Sequence, residues 1–392
     1  MRKILKSPVF WTTFLSFIFL GMALTLFGAT IPSLKKDFGW SYLENGIVIA
    51  AGSISFFVFT FLIGKISHTV RVSTLFFAGF ASIIASLAFF ARTPLILPNL
   101  LLNVIMSAGF AAVEIAGNLA ILDLEKDGSG KALNLMHASF AVGAIGGPVI
   151  VSKLISSSYS WKNIYMIMAV SFAAITPAVI AIRKKLPIPQ QERESKIKKT
   201  SFSNPVYWLG FFTLLLYVGA ELGLSNWIAE YGREVFKVDI AIAPFLVSMF
   251  WTGLLLGRIF SPFFLRIDNR KKALIISSLV FSASIAMFAI LGNINPSASA
   301  ALLFFLAFLG GTGAAIIFPT TLLLVSSLMP DKKGDAIGFA TTGGGIGAFV
   351  FPFIMSAISD SLGLEKGFIV YTLCALMLTA SIAMLASQKT RK

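Results

Sequence analysis

Long apolar stretches fill most of the chain and are separated by short polar ones. Twelve of these stretches reach the ~20 residues that an α-helix needs to cross the hydrocarbon core of a bilayer. The pattern therefore predicts an all-α membrane protein with twelve transmembrane helices. The predicted spans are approximately residues 9–32, 42–64, 72–91, 97–122, 133–156, 161–182, 204–229, 242–265, 273–292, 298–328, 335–358 and 367–387.

The longest polar segment, residues 183–203, lies at the middle of the chain and carries mixed charge. It predicts a cytoplasmic linker between an N-terminal six-helix bundle, residues 1–182, and a C-terminal one, residues 204–392. The bundles are predicted to be pseudo-symmetric, because Pro148 and Ser152 in span 5 recur 204 residues later as Pro352 and Ser356 in span 11. Two such repeats are typical of transporters whose substrate site lies between them.

Composition supports a membrane protein: 57% of the 392 residues are hydrophobic, only 12% are charged, and mean hydropathy is +0.86. The net charge of +15 does not indicate nucleic-acid binding, because Lys and Arg concentrate in short loops on one side of the predicted spans. This bias predicts a multi-pass protein of the cell (inner) membrane with both termini in the cytoplasm. The lipid bilayer is the expected partner, and we expect a monomer.

Two carboxylates, Glu114 and Glu221, are predicted in the middle of apolar spans, whereas the other acidic residues are predicted in loops, tails or helix ends. A charge at the bilayer centre costs about 2.5–3.5 kcal/mol or more, so such residues usually face a bundle interior or a water-filled path. One carboxylate falls in each predicted half. If the halves face each other, the pair should approach one central cavity.

Polar neighbours accompany both carboxylates. Asn118 lies one helical turn after Glu114, and Tyr217 lies one turn before Glu221, so each pair shares a helix face. A carboxylate beside an amide or a hydroxyl can hold a polyol by paired hydrogen bonds, and a buried carboxyl group can also exchange a proton when its surroundings change. Around Glu221, two glycines with Ser225 and Asn226 favour a bent or broken span 7 that lines a cavity.

The two-repeat pattern resembles the major facilitator superfamily, and two loops are similar to its gating signature. Gly64–Arg71 follows span 2 but lacks the usual Asp, whereas the loop after span 8 combines Arg258 with Asp268 and Arg270. The resemblance implies that these three residues form an ion-pair latch that closes the cytoplasmic side. Simple anchoring by positive charge is the alternative role of these loops.

Within that superfamily the chain resembles the fucose permease branch, which includes proton-coupled glucose/mannose carriers and sodium-dependent glucose carriers. Four patches carry this resemblance: 114–118, 134–143, 217–227 and 248–258. The resemblance implies roles in substrate binding or coupling for Glu114, Asn118, Asn134, His137, Phe140, Tyr217, Glu221, Asn226, Trp227 and Trp251. A structural hydrogen bond is the alternative for His137, and ordinary packing is the alternative for the aromatic residues.

One position departs from that branch. Fucose permease has a functional Asp in its first span, where this chain has Gly28, and span 1 here contains no carboxylate. Fucose itself is therefore disfavoured as the substrate. Coupling is expected to depend mainly on Glu114 and Glu221.

These observations predict a secondary active transporter that takes up a hexose-like polyol by proton-coupled alternating access. Sodium is the alternative coupling ion, and export of drugs or amphipathic metabolites is the alternative function. A receptor or scaffold on the same fold has little support. The sequence shows no P-loop, no CxxC pair and no His-rich cluster, so we expect neither an enzyme nor a bound metal or cofactor.

Overall fold

The computed structural model describes residues 4–67, 69–125, 131–187, 204–264 and 269–388. Thirteen α-helices account for nearly all of the regular structure in this part of the chain. In chain order they are α1 (Pro8–Phe38), α2 (Tyr42–Ile66), α3 (Val72–Phe89), α4 (Ile96–Leu124), α5 (Lys131–Ser156), α6 (Asn163–Ile182), α7 (Pro205–Glu234), α8 (Pro244–Phe264), α9 (Arg270–Ile294), α10 (Ala300–Ala314), α11 (Ile317–Leu328), α12 (Lys333–Leu362) and α13 (Leu364–Ser387).

The described residues contain 12 helical spans that are long and apolar enough to cross a membrane, which confirms the predicted number. The tenth span, Ala300–Leu328, is made of α10 and α11. Several helices continue past the apolar windows that the sequence marks. For example, α1 ends at Phe38 and α7 at Glu234, because an unbroken helix keeps satisfying its own backbone hydrogen bonds.

Local sequence sets several helix starts. Before α2, the Ser41 hydroxyl accepts from the Glu44 backbone N–H at 3.1 Å, and the Glu44 carboxylate accepts from the Ser41 N–H at 2.8 Å. This reciprocal pair is a capping box. The Asn204 side chain caps α7, whose first residue is Pro205, and Ser299 caps α10.

The chain forms two compact units. The first contains Met1–Thr30 and Ala51–Lys196, and the second contains Ile31–Ala50 and Ile197–Lys392. Both α1 and α2 therefore contribute to each unit. The predicted division of the chain at 183–203 stays a prediction, because residues 188–203 lie outside the described part.

Glycines allow close helix contacts in the first unit. On α5, Gly143 and Gly147 face the backbone of α1 at Ile18 and Met22, and a Cβ at Gly147 would lie 2.7 Å from the Met22 carbonyl oxygen. Such an approach is possible only without a side chain. These contacts fix α5, which carries His137, against α1.

The second unit uses the same device between α12 and α7. Gly343 and Gly347 of α12 face the backbone carbonyls of Phe211 and Leu215. From the other side, a Cβ on Gly219 of α7 would lie 3.0 Å from the Gly347 carbonyl oxygen. Helix α7 is thereby packed tightly against α12.

Span 7 was expected to be bent or broken, and the expectation of a break is wrong. Helix α7 runs without interruption from Pro205 to Glu234, through both glycines near Glu221. Gly219 allows contact with α12, and Gly223 lies against the ring of Tyr371 on α13, so both glycines allow close packing within a continuous helix. The interruption occurs instead in the tenth span, between Ala314 and Ile317.

Candidate functional site

In the first unit, a polar cluster joins α4 to α5. The Nε2 atom of His137 lies 3.1 Å from the Oδ1 atom of Asn118, within hydrogen-bond distance. Glu114 lies one turn before Asn118 on the same face of α4 and is half-buried. Among the described residues, no basic side chain forms an ion pair with Glu114. The cluster therefore places an acid, an amide and an imidazole together.

The rings around this cluster restrict its geometry. The Phe17 ring packs edge-on against the His137 imidazole, with centroids 5.5 Å apart. Phe17 also contacts Gly117, beside Asn118. Because Asn118 Oδ1 can only accept, the facing His137 nitrogen must carry the hydrogen. His137 thus makes the structural hydrogen bond that was one of its two expected roles, and it does so within one turn of Glu114.

Two other predicted residues of α5 lie outside this cluster. The Asn134 side chain is exposed, one turn before His137, and Phe140 is half-buried one turn after it. The Phe140 backbone carbonyl lies against Gly21 of α1. Neither residue shares the Asn118–His137 hydrogen bond, and their predicted roles stay predictions.

In the second unit, the buried carboxylate of Glu221 is bonded to its predicted neighbour. Tyr217 Oη lies 2.7 Å from Glu221 Oε1 and 3.0 Å from the backbone carbonyl oxygen of Ala314. Both side chains are buried, Tyr217 completely and Glu221 with 8% of its surface exposed. The tyrosine hydroxyl therefore links the carboxylate on α7 to the last residue of α10.

The break that follows Ala314 has a local cause. Pro319 has no N–H to offer the Ala315 carbonyl, and a proline ring also clashes with the carbonyl four residues earlier. Ala315 N–H instead donates to Thr312 O at 3.4 Å, and the regular bonds resume when Thr320 N–H donates to Ile316 O at 3.0 Å.

Side chains from neighbouring helices supply the donors that the break lacks. Arg258 Nε on α8 lies 3.3 Å from the Ala315 carbonyl oxygen, and Tyr217 lies beside the Ala314 carbonyl. The Arg258 guanidinium is also close enough to attract the Glu221 carboxylate. This arrangement does not follow from the spacing of polar residues, although Pro319 inside an apolar run is a signal for it.

The other predicted site residues near Glu221 are Trp251, Trp227 and Asn226, and they differ in burial and in hydrogen bonding. The indole N–H of Trp251 on α8 donates to Ser225 Oγ at 2.9 Å, which ties α8 to α7 one turn after Glu221. Trp227 is completely buried, with its ring centroid 6.1 Å from that of Tyr42. Asn226, which lies between Ser225 and Trp227 in the sequence, is half-buried.

The predicted latch is only partly described. Arg258 is an exposed residue whose side chain bonds the Ala315 carbonyl oxygen, and Arg270 begins α9 and is half-buried. Asp268 lies outside the described residues. The latch therefore stays a prediction.

Glu230 lies near the C-terminal end of α7, as predicted for the acidic residues outside mid-span, but it is also buried. It lies inside α7, nine residues after Glu221, and none of its surface is exposed. The nearest basic group in an ion pair, Arg233, is 3.7 Å away, and no hydrogen bond reaches either carboxylate oxygen from the described residues. The burial of Glu230 could not be predicted from the sequence, because the apolar window of span 7 ends just before this residue.

Lys35 and Tyr42 add a second basic group and an aromatic ring near Glu230. The Lys35 ammonium lies 3.4 Å from the centroid of the Tyr42 ring, and its charge acts on Glu230. Both residues belong to the second unit, although they come from the ends of α1 and α2. A cation over an aromatic face is favourable, so this contact joins the end of α1 to the start of α2.

Twelve apolar helices with buried carboxylates and small-residue helix contacts define a multi-pass protein of the kind that moves solutes across membranes. The sequence profile of the Major Facilitator Superfamily matches residues 13–352 and, in a second match, 246–391. The chain belongs to the Major Facilitator Superfamily, as its sequence features predicted. It is therefore a membrane transporter.

Relatives align over nearly the whole chain at low identity. A TsgA homologue from Buchnera aphidicola subsp. Baizongia pistaciae is 24% identical over 363 residues, covering 91% of this chain and 90% of the relative. A Helicobacter pylori protein named provisionally as a glucose/galactose transporter is 24% identical over 379 residues, covering 91% of this chain and 90% of the relative.

Solved transporter structures share the fold. The crystal structure of the nucleoside transporter NupG superposes with a TM-score of 0.75 at 16% identity, covering 99% of this chain and 100% of the other. A bacterial homologue of the human lysosomal transporter Spinster gives 0.71 at 13% identity, covering 96% of each chain. At these identities the likeness shows the fold alone, and it agrees with the predicted all-helical transporter architecture.

Proposed function

We propose that this transporter takes up a hexose-like polyol together with protons, by alternating access. The observation that carries the proposal is that hydrogen-bonding groups lie beside each mid-span carboxylate. Tyr217 donates to Glu221, and Asn118, which is bonded to His137, lies one turn from Glu114. Sugar hydroxyls are both donors and acceptors. Such groups suit a polyol better than a purely apolar ligand, which can make no hydrogen bonds with them.

The indole of Trp251 supports the same substrate class. It is fixed by Ser225 one turn from Glu221, and an aromatic face packs well against the C–H face of a sugar ring. The H. pylori relative named for glucose/galactose transport favours a hexose over other polyols. Within this proposal, Glu114 and Glu221 exchange the coupling protons.

The proposal includes an orientation. Both termini lie in the cytoplasm of a cell (inner) membrane, as the distribution of Lys and Arg along the chain indicates. Arg258, Asp268 and Arg270 then belong to the cytoplasmic side, where the ion-pair latch would close. The protein acts as a monomer without metal or cofactor, and H⁺ is the coupling ion, with Na⁺ as the alternative.

A binding screen tests the substrate class. The purified protein is heated in detergent with hexoses, with nucleosides and with lipophilic cations, each at mildly acidic and mildly alkaline pH. A ligand that binds only the folded state raises the unfolding temperature. We expect stabilisation by one or more hexoses. Stabilisation by lipophilic cations alone would instead support the exporter alternative.

A further inference from the structure

Tyr217 has one hydroxyl hydrogen but two acceptors. Its Oη atom lies within hydrogen-bond distance of Glu221 Oε1, at 2.7 Å, and of the Ala314 carbonyl oxygen, at 3.0 Å. A phenol can donate one hydrogen bond and accept others. If Glu221 is ionised, both neighbours are pure acceptors, so Tyr217 can satisfy only one of them.

A proton on Glu221 can supply the missing hydrogen, whereas the Arg258 Nε–H is already directed at the neighbouring Ala315 carbonyl oxygen. When Glu221 is protonated, its O–H donates to Tyr217 Oη, and the Tyr217 O–H then donates to Ala314. When Glu221 is ionised, the tyrosine donates to the carboxylate, because a charged acceptor makes the stronger and shorter bond. The Ala314 carbonyl then loses this donor. The proton comes from the aqueous phase and returns to it.

We propose that Tyr217 is the positioning residue through which Glu221 controls the break in the tenth span. Protonation of Glu221 stabilises the chain at the break, and loss of the proton destabilises it. Ala314 is the last residue of α10, and its carbonyl lies where the helical bonds are interrupted. A proton on Glu221 secures that carbonyl, and loss of the proton releases it. The inference deepens the proposed proton-coupled transport, and its coupling role depends on that function.

Arg258 strengthens the switch. Its Nε holds the adjacent Ala315 carbonyl at 3.3 Å, while its guanidinium charge also acts on Glu221. An ionised Glu221 therefore competes with the break for both of its side-chain donors, one from α7 and one from α8. A neutral Glu221 leaves both donors to the break.

No other charged group faces Glu221 from the described helices around α7. Helix α12 presents Gly347 and Phe351 at this level, α11 presents the Phe318 ring, and α10 presents the Ala314 carbonyl. Helix α13 contributes Tyr371, which lies against Gly223. Tyr217 and Arg258 are thus the described side chains that interact most directly with the charge of Glu221.

Hydrogen–deuterium exchange of the backbone amides in residues 312–321 tests the switch without any substrate. The full chain in lipid nanodiscs is compared at about pH 5 and about pH 8, on either side of the range in which a buried carboxyl can titrate, after correction for intrinsic exchange rates. We expect exchange to be about five-fold slower at the lower pH, the effect of one hydrogen bond of ordinary net strength.

Two variants should each remove the pH dependence, one by keeping exchange slow at both pH values and the other by keeping it fast. Glu221→Gln keeps a donor for Tyr217 at every pH, so exchange should stay slow. Tyr217→Phe removes the hydroxyl, so exchange should stay fast. Tyr371→Phe is the matched control, because the Tyr371 hydroxyl is buried without a hydrogen-bond partner among the described residues, and it should retain the wild-type pH dependence.

The inference fails if exchange in the wild-type protein does not depend on pH, a result that needs no variant to fold. It also fails if Glu221→Gln retains the pH dependence. Because no sugar is present, these outcomes are independent of the substrate. A wild-type pH dependence together with absence of hexose uptake would leave the switch intact and overturn only the proposed substrate.

Discussion

The candidate residues act in small groups that the chain assembles by two different routes. Tyr217 and Glu221 are neighbours because they are four residues apart on α7, so the sequence is enough to predict their proximity, and a hydrogen bond of 2.7 Å joins them. Asn118 and His137 meet because α4 packs against α5, which their spacing does not reveal. Glu230 likewise becomes a buried acid only through the length and packing of α7.

Glu114→Gln separates coupling from binding in the first unit. The amide keeps the shape and hydrogen-bonding capacity of the side chain and removes the titrating group. We expect proton-driven accumulation of substrate to be lost while substrate exchange across the membrane continues. Both are measured in proteoliposomes, with and without an imposed proton gradient.

Asp123→Asn is the matched control for this change, because Asp123 is an exposed acid near the end of the same helix. It should leave accumulation unchanged. If Glu114→Gln still accumulates substrate, coupling does not pass through Glu114 and must depend on Glu221 or on another ion.

Glu230→Met should stabilise the protein. The carboxylate is fully buried, its oxygens lack hydrogen bonds among the described residues, and Arg233 at 3.7 Å keeps 28% of its side chain exposed to solvation. Replacing a whole buried ion pair by apolar side chains is often neutral or stabilising, whereas removing one partner is costly when the remaining charge is buried. Because Arg233 stays partly solvated without Glu230, we expect the variant to be more stable by up to about 2 kcal/mol. The free energy of unfolding in detergent measures this effect.

Glu234→Met, on a half-buried residue one turn later, is the comparison and should change stability little. A clear loss of stability in Glu230→Met would show that Glu230 gains more from Lys35 and Arg233 than its burial costs.

At the scale of helices, the glycines of span 7 and the proline of span 10 have different consequences for the continuity of the helix. Glycines beside a polar residue are compatible with a bend or with a close contact, and only the neighbouring helix decides between them. Gly219 and Gly223 meet α12 and α13, so α7 stays continuous. Pro319 removes a backbone donor, and the tenth span is interrupted just before it. Pro148 and Pro352 lie inside continuous helices, so the surroundings of a proline also decide whether a span breaks.

Gly347→Ala tests the close contact between α12 and α7. The new Cβ would lie 3.1 Å from Leu215 Cα and still closer to the Leu215 carbonyl oxygen, where backbone must move to make room. Overpacking of this kind destabilises by about 1–3 kcal/mol, which we expect as a lower unfolding temperature.

Gly338→Ala on the same helix provides the control, since a Cβ there meets no atom within 4 Å. It should be neutral or stabilising by about 0.5–1 kcal/mol, the usual gain for alanine over glycine within a helix. Equal stability losses in the two variants would mean that the α12–α7 contact is not close-packed.

At the scale of the whole molecule, the number of spans follows directly from the lengths of the apolar runs, and the described residues contain all 12. The grouping of residues 31–50 with the second unit could not be foreseen, because a division made along the sequence keeps neighbouring residues together. Contacts such as Lys35 with Tyr42, and Leu43 N–H with Asp360 Oδ1 at 3.4 Å, form only in the folded chain. The family was predictable from motifs in the sequence. The substrate and the coupling ion depend on a few side chains whose contacts form only in the folded chain.

Uptake of labelled hexoses into proteoliposomes, driven by an imposed inward proton gradient, tests the proposed function most directly. Parallel vesicles carry an inward sodium gradient or no gradient, and protein-free vesicles give the background. We predict that at least one hexose accumulates only with the proton gradient and that a protonophore abolishes the accumulation. Intact protein that accumulates no sugar, or accumulates it with sodium alone, would contradict proton-coupled hexose uptake.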